Sequence, residues 1–425
     1  MNKYYNRIAD DILKNKLKGK GAVLITGAKW CGKTTTAARI SNSILFMQEP
    51  QYKSQNIQMA ELNPSRLLSG DIPRLIDEWQ LAPKLWDAIR FEVDQRNEFG
   101  QFILTGSAVP ADFSEISHTG IGRIARLKMR PMSLYESEDS NGMVCLKTLF
   151  DTETTKLDGE NDIDIDSLAY LICRGGWPKA LDCDSTIALQ QAVDYFDGVV
   201  EVDISRVDSI NRNPESVKRL MHSLARFIGS QAKIPTILAD MKANEADILT
   251  ESTINSYITA LLKIFVIENS PAWNPNLRSK TAIRTSDTRY FTDPSIATAA
   301  LGIGPTDLIN DLETMGFFFE NMCIRDLRIY AEAIDGSVYH YRDKSGLECD
   351  AVVHLRNGAY GLIEVKLGGD KLIEEGIKTL TKISENIDTN RMKEPSFKMI
   401  LIGIGKYAYR RKDGIIIVPI GCLKQ

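Results

Sequence analysis

Apolar and polar positions along the first 135 residues alternate in two periods, and each period predicts its own element. Ile8, Ile12, Leu13 and Leu17 recur at helical spacing among polar and basic residues, so residues 1–20 read as an amphipathic helix. The unbroken run Ala22–Ile25 reads as a buried strand that breaks at Gly27, and a helical pattern then carries Ala37, Ile40 and Ile44. A second β-like segment follows at Ile57–Leu62. A third runs into Asp77 and Glu78, interrupted by Pro73 and Arg74. Leu85, Trp86, Ile89, Phe91 and Val93 predict a helix, and Phe102–Leu104 a strand that ends in small polar residues. From 136 to 166 the composition turns acidic, which reads as a surface linker. Helical patterns resume at Leu168–Cys173, Ile187–Val200 and Ser216–Ile228. The last third mixes a helix around Phe317–Asn321, strands at Ala351–Leu355, Tyr360–Lys366 and Phe397–Ile404, and a helix at Lys371–Ile387. The expected fold is α/β: an N-terminal parallel sheet with helices (1–135), the linker (136–166), a helical middle (167–275) and a C-terminal α+β domain (276–425).

The break after the first strand carries chemistry. Gly27-Ala-Lys-Trp-Cys-Gly32-Lys33-Thr34-Thr35 has the glycine spacing of a P-loop between a strand and a helix. Such a loop turns successive N–H groups, and the helix N-terminus, towards phosphate oxygens. Lys33 is placed to reach the β- and γ-phosphates of ATP, the Thr34 hydroxyl to coordinate Mg²⁺, and Gly27, Gly32 and Thr35 to line the phosphate cradle. Asp77, at the end of an apolar strand, is the candidate to complete the Mg²⁺ shell, and Glu78 the candidate to activate water. Thr105 or Ser107 could hydrogen-bond the γ-phosphate or the attacking water at the carboxyl ends of the strands. Three arginines, Arg123, Arg126 and Arg130, invite an arginine-finger reading, Arg123 foremost; acting on a neighbouring copy it would require at least a dimer.

Leu75-Ile-Asp-Glu-Trp-Gln-Leu-Ala-Pro83, Gln101-Phe-Ile-Leu-Thr-Gly-Ser107 and Arg130-Pro-Met-Ser-Leu134 together resemble the prokaryotic AAA-like ATPases that carry a C-terminal DUF4143 region. The resemblance runs through essentially the whole chain and implies nucleotide binding. Arg174-Gly-Gly-Trp-Pro178 and Arg289-Tyr-Phe-Thr-Asp-Pro294 resemble signatures of the same family; the first predicts a fixed turn pressing an aromatic ring against a neighbouring surface, the second a strand ending in a turn. Residues 236–268 have the layout of a winged helix: a helix at Ile237–Ala243, a turn near Asp247, a second helix starting at Ser252 or Thr253, and a strand at Ile264–Ile267. Its exposed positions, Glu251, Asn255, Ser256 and Thr259 with only Lys263 basic, favour domain packing or protein binding over DNA reading. Further on, Glu320 on a helix, Asp350 before a strand, and Glu364-x-Lys366 within one look like the PD-(D/E)xK nuclease fold. Residues 364 and 366 share a strand face. Asp350 and Glu364 are the candidates for a second Mg²⁺ site, with Glu320 and Lys366 beside them.

Composition narrows the classes without choosing among them. The chain has 425 residues, 43% hydrophobic and 25% charged, which is globular rather than disordered. A net charge of −4 supplies no global field for nucleic acid. Seven cysteines without a CxxC pair, and four histidines, argue against a zinc site or a disulfide framework. With no apolar stretch near bilayer length, the expectation is a cytoplasmic protein without a membrane role. Three functions stay open: an ATPase coupling nucleotide state to a nuclease-like domain, an ATP-regulated metal-dependent nuclease, and a nucleotide-gated module that binds protein or DNA without turnover.

Overall fold

The computed structural model describes residues 3–425 except 107–119, 152–156, 208–209, 211, 243–249, 275–285 and 391. It divides into two compact units: residues 1–131 with 199–213 and 256–266, and residues 132–198 with 214–255 and 267–425.

The first unit is built on a five-stranded sheet of β1 (Ala22–Thr26), β2 (Ser43–Phe46), β3 (Arg74–Asp77), β4 (Phe102–Gly106) and β5 (Ile124–Lys128), in the order β2-β3-β4-β1-β5. Every pair is parallel, so all five carboxyl ends lie along one edge. Alternation explains why β1 is apolar throughout: Ala22 and Leu24 face one core with Leu85, Trp86, Ile89 and Phe102, while Val23 and Ile25 face another with Leu13, Leu17, Ala37 and Ile103. The amphipathic helix Ile8–Leu17 and the helix Lys33–Ile40 supply the second core; the helix Leu85–Arg96 supplies the first. The β-like segment expected at Ile57–Leu62 is instead the end of a helix, Lys53–Leu62, buried only at Ala60. Its polar residues Ser54, Gln55, Asn56 and Gln58 leave one apolar edge, which a helix can place against the sheet and a buried strand cannot.

The second unit holds β6 (Val144–Cys145), β7 (Gly159–Glu160), β8 (Ile267–Ser270), β9 (Thr288–Phe291), β10 (Gly336–Arg342), β11 (Glu348–Leu355), β12 (Tyr360–Lys366), β13 (Phe397–Ile402), β14 (Tyr407–Arg410), β15 (Ile416–Pro419) and β16 (Leu423–Lys424). Seven of these form one mixed sheet, β10-β11-β12-β13-β15-β14-β7. β11 and β12 are antiparallel, whereas β12, β13 and β15 are parallel, with the helix Asp370–Glu385 between β12 and β13. That helix buries Ile377, Leu380 and Ile383 against Val352, Leu362 and Ile400. The 22-residue helix Leu312–Ala333 packs on β10, β11 and β12.

The boundaries differ from those expected. Residues 136–166 do not simply span two domains: β6 pairs with β16 and β7 closes the large sheet against β14, so backbone pairing fastens this acidic stretch to the C-terminal unit. The middle region shows helices Ile234–Lys242 and Glu251–Lys263, and the turn expected near Asp247 lies outside the described residues. Ile264–Val266 forms a turn, and the strand begins at Ile267, paired with β9 as a hairpin. Gly175 has a φ of +70°, and a Cβ there would lie 2.4 Å from Asp293 and Ser295. That turn seats Trp177, which is 1% exposed, stacked on Tyr195 at 4.3 Å and donating its indole N–H to Ser295 Oγ. Beside it a buried ion network forms. Arg325 pairs with Asp293 and Asp326, and Asp326 accepts the Leu134 N–H. Among the described residues, no helix is long and apolar enough to cross a membrane.

Candidate functional site

The P-loop lies where β1 ends at the carboxyl edge. Gly27 has a φ of +149° and a Cβ there would come within 1.9 Å of the Met129 carbonyl oxygen, so only glycine lets the loop run this close to the chain leaving β5. Gly32, at φ +96°, turns the chain into the helix Lys33–Ile40. Lys33 is buried, and its Nζ donates to the carbonyls of Gly27 (3.0 Å) and Ala28 (2.7 Å). Thr35 is exposed in the first helical turn. Arg7, which sequence reasoning did not single out, fastens the loop from behind: it donates to the carbonyls of Cys31 (2.6 Å) and Arg130 (2.7 Å).

Strand order explains which acid meets the loop. β4 lies between β1 and β3, and the register pairs Asp77 with Thr105. Asp77 is 1% exposed; its Oδ1 accepts from Thr34 Oγ1 (2.7 Å) and Thr105 Oγ1 (2.5 Å), and its Oδ2 from Gln48 Nε2 (2.6 Å). Gln48 also escaped the sequence reading, since it sits in an unpatterned polar stretch after β2. Hydroxyl and carboxylate oxygens converging here form a donor set suited to a hard cation such as Mg²⁺, and Lys33 with the loop suits phosphate. Ser107 lies outside the described residues.

Glu78 follows in a left-handed conformation, φ +55°, which a non-glycine residue adopts only when its surroundings impose it. Burial pushes its carboxyl pKa up and the Asp77 charge adds to the rise; Lys33, a hydrogen bond from Gln80 and Lys29 oppose it. Gln80 Nε2 donates to Glu78 Oε2, while among the described residues the buried Gln80 Oε1 has no hydrogen-bond partner. A Cβ on Gly106 would lie 2.7 Å from that oxygen, so the glycine ending β4 makes room for the amide. Gln80 stood in the quoted Asp-Glu-Trp-Gln motif, but only the fold reveals its contact with Glu78.

Arg123 lies apart from the other expected site residues of this unit. Parallel pairing sets Ile124 beside Ala22, and the Arg123 carbonyl accepts the Ala22 N–H, which puts Arg123 at the amino edge of the sheet. The P-loop is at the other edge, about 20 Å away along the strand direction from residue 123 to the level of Gly27 beside Met129. Arg123 pairs with Asp94 at 2.9 Å on the surface, so it does not serve the P-loop of its own chain. Arg126 is exposed and Arg130 buried.

In the second unit, Asp350, Glu364 and Lys366 meet. Lys366 Nζ lies 2.7 Å from Glu364 Oε2 and 3.6 Å from Asp350 Oδ2, and Asp350 also accepts the Val365 N–H at 2.7 Å. Glu320, on the long helix, accepts from Tyr290 Oη at 2.6 Å. Burial, then the Asp350 charge, raises the Glu320 carboxyl well above its ordinary pKa and lifts Glu364 to about 8. The Lys366 ammonium lies against the two carboxylates expected to bind a second Mg²⁺, and among the described residues no three His, Cys, Asp or Glu side chains are grouped to hold a metal. Alternation does bring 364 and 366 to one face, as the spacing required.

Comparison with known proteins places three families along the chain. Residues 19–138 match an AAA domain, 165–307 a domain of unknown function (DUF8612), and 315–423 a domain of unknown function (DUF4143). The chain therefore carries an AAA-type P-loop ATPase domain followed by a C-terminal DUF4143 domain. No curated protein matches it. Similar solved structures include a Walker-type ATPase of Pyrococcus abyssi, at 13% identity and a TM-score of 0.44 over 70% of this chain and 96% of that one. Others are a DNA replication initiation factor, at 13% identity and 0.30 over 61% and 88%, and AMPPCP-bound DnaA from Aquifex aeolicus, at 13% and 0.29 over 62% and 89%.

Proposed function

We propose that this chain binds Mg·ATP at residues 27–34, hydrolyses it, and passes its nucleotide state to the DUF4143 domain. The observation that carries the reading is the convergence on Asp77: hydroxyls from the P-loop helix and from β4 meet one buried carboxylate beside Lys33 and directly before Glu78. Mg²⁺, when bound, would neutralise phosphate charge. Thr34 and Asp77 would supply its protein oxygens. Lys33 exchanges its two loop carbonyls for phosphate oxygens, and Thr105 fixes the orientation of Asp77. Glu78 accepts the proton of the attacking water as the bond from γ-phosphorus to the bridging oxygen breaks, releasing ADP and phosphate. Its raised pKa brings the base closer to neutrality than an ordinary glutamate.

Support for the coupling comes from connectivity. The chain passes between the two units five times, at 131/132, 198/199, 213/214, 255/256 and 266/267, so a change in the ATPase unit acts on several covalent links at once. The test is steady-state Mg·ATP hydrolysis by wild type and Glu78→Gln, with nucleotide binding followed in parallel. Turnover falling by about 10²-fold or more with binding retained is the expected result. Wild type that binds ATP without turnover would instead make the chain a nucleotide-gated binding module. Adding single-stranded or duplex DNA to the assay asks whether nucleic acid is the partner, since acceleration by DNA would point to it.

A further inference from the structure

A second lysine in the P-loop is engaged in a way the catalytic reading does not use. Lys29, two residues past Gly27, forms an ion pair with Asp203. Asp203 comes from far along the chain: it ends the π-helical turn Val199–Asp203, an irregularity of a kind that recurs at functional sites. Its segment is pinned within the ATPase unit, because the buried Arg212 donates to the Ile204 carbonyl at 2.9 Å and lies over the Tyr257 ring at 5.6 Å. The carboxylate is only 14% exposed whereas Lys29 is 42% exposed, so the lysine can swing and the acid is held in place.

Such a pair beside a phosphate cradle cannot be neutral to its ligand. A triphosphate brings several negative charges to the loop, and Lys29 is the loop's other cation besides Lys33. Its reach towards the reacting end is visible at Glu78: burial drives that carboxyl up, and Lys29 is among the cations that oppose the rise. While Asp203 holds Lys29, the loop offers the phosphates one ammonium instead of two and adds a fixed anion nearby.

We propose that Lys29 is a second phosphate-contacting lysine and that Asp203 is its built-in competitor, so that nucleotide binding and the seating of residues 199–206 on the P-loop oppose each other. This rests on the P-loop being a nucleotide site. Filling the loop draws Lys29 from Asp203 and leaves a mostly buried carboxylate without its counter-ion, which loosens the segment. Residues 199–206 follow directly on a helix of the other unit, so their release is a nucleotide-dependent signal that the chain itself carries onward.

The experiment is calorimetric titration of Mg·AMPPNP into wild type, Lys33→Ala, Lys29→Gln, Asp203→Asn and the Lys29→Gln/Asp203→Asn double variant. Asp203→Asn should bind about tenfold tighter than wild type and Lys29→Gln more weakly, and the gain from Asp203→Asn should shrink to about threefold or less without Lys29. Unchanged or weaker binding by Asp203→Asn overturns the proposal, as does an equal gain with and without Lys29. Wild-type binding that ignores Lys33→Ala would instead overturn the nucleotide reading itself, and a silent Asp203→Asn beside Lys33-dependent binding sinks only the competitor. Hydrogen exchange on wild type avoids any folding defect in the variants. Amides 199–206 should exchange faster with Mg·AMPPNP; slower or unchanged exchange contradicts the release.

Discussion

Both units bring a lysine beside buried carboxylates, yet the two clusters are wired differently. In the ATPase unit, Lys33 donates to backbone carbonyls, and Asp77 is held by neutral donors from Thr34, Thr105 and Gln48. Neither charge is spent on the other, so each can turn to an incoming ligand at the cost of ordinary hydrogen bonds. In the C-terminal unit, Lys366 lies against Glu364 and Asp350, and Glu320 adds a third acid whose charge they feel. That cluster is closed on itself. The same residue types therefore make an exchangeable site in one place and a self-satisfied ion network in the other.

Removing each lysine should separate the two most clearly. Lys366→Met leaves acids facing one another without a cation, and the expected cost is about 3 kcal/mol of stability at neutral pH. Chemical denaturation would read it, and the loss should grow as pH rises through about 8, where Glu364 gives up its proton. Lys33→Ala should do the reverse. It breaks two hydrogen bonds to carbonyls, about 1 kcal/mol of stability, while hydrolysis falls by about 10²-fold or more because transition-state phosphate charge loses its nearest cation. If Lys33→Ala unfolds the protein and Lys366→Met leaves its stability unchanged, the contrast is reversed.

The pH dependences sharpen the comparison further. Glu364 has its folded pKa raised to about 8, so the stability tied to its proton is fully present below the ordinary carboxylate range and lost as pH rises through about 8. Glu364→Gln should flatten that decline in melts taken from pH 5 to 8.5, even if it lowers stability overall. Glu78 is also raised, chiefly by burial, but here the consequence is catalytic. As the base it must be ionised, so turnover should fall on acidification at a pH above the ordinary glutamate value of about 4.3, with that limb absent from Glu78→Gln.

How much of this was legible follows from how local each signal is. The glycine spacing and the apolar run before it lie within twelve residues, and the fold puts Gly27, Lys33 and Thr34 where that motif expects them relative to strand and helix. The Asp77–Thr105 contact depended on strand order, which no local pattern encodes; β4 had to fall beside β3. Gln48 and Arg7 were silent because each acts through one side chain on a partner far away in sequence. Glu364-x-Lys366 was legible as a shared strand face, but whether the lysine would face a ligand or its own neighbours depended on how closely Asp350 approached across the antiparallel pair. The acidic composition of 136–166 suggested a linker because composition does not report backbone pairing, and β6 and β7 are fastened by backbone pairing.

The smallest effect is expected at Arg123, and the reason is topological. A parallel sheet gives its two edges different roles: loops after the strands gather at the carboxyl edge with the P-loop, and Arg123 precedes β5 at the amino edge. Its pair with Asp94 is fully on the surface, where solvent screens the charges. Arg123→Ala should therefore change turnover per chain by less than about twofold at low protein concentration. Repeating the assay over a wide concentration range completes the test. A deficit that grows as the protein concentrates would mean that Arg123 works on the P-loop of a second copy, because only association can carry an amino-edge side chain to a carboxyl-edge site. A large deficit already present in the dilute chain would contradict the separation of the two edges on which the whole site depends.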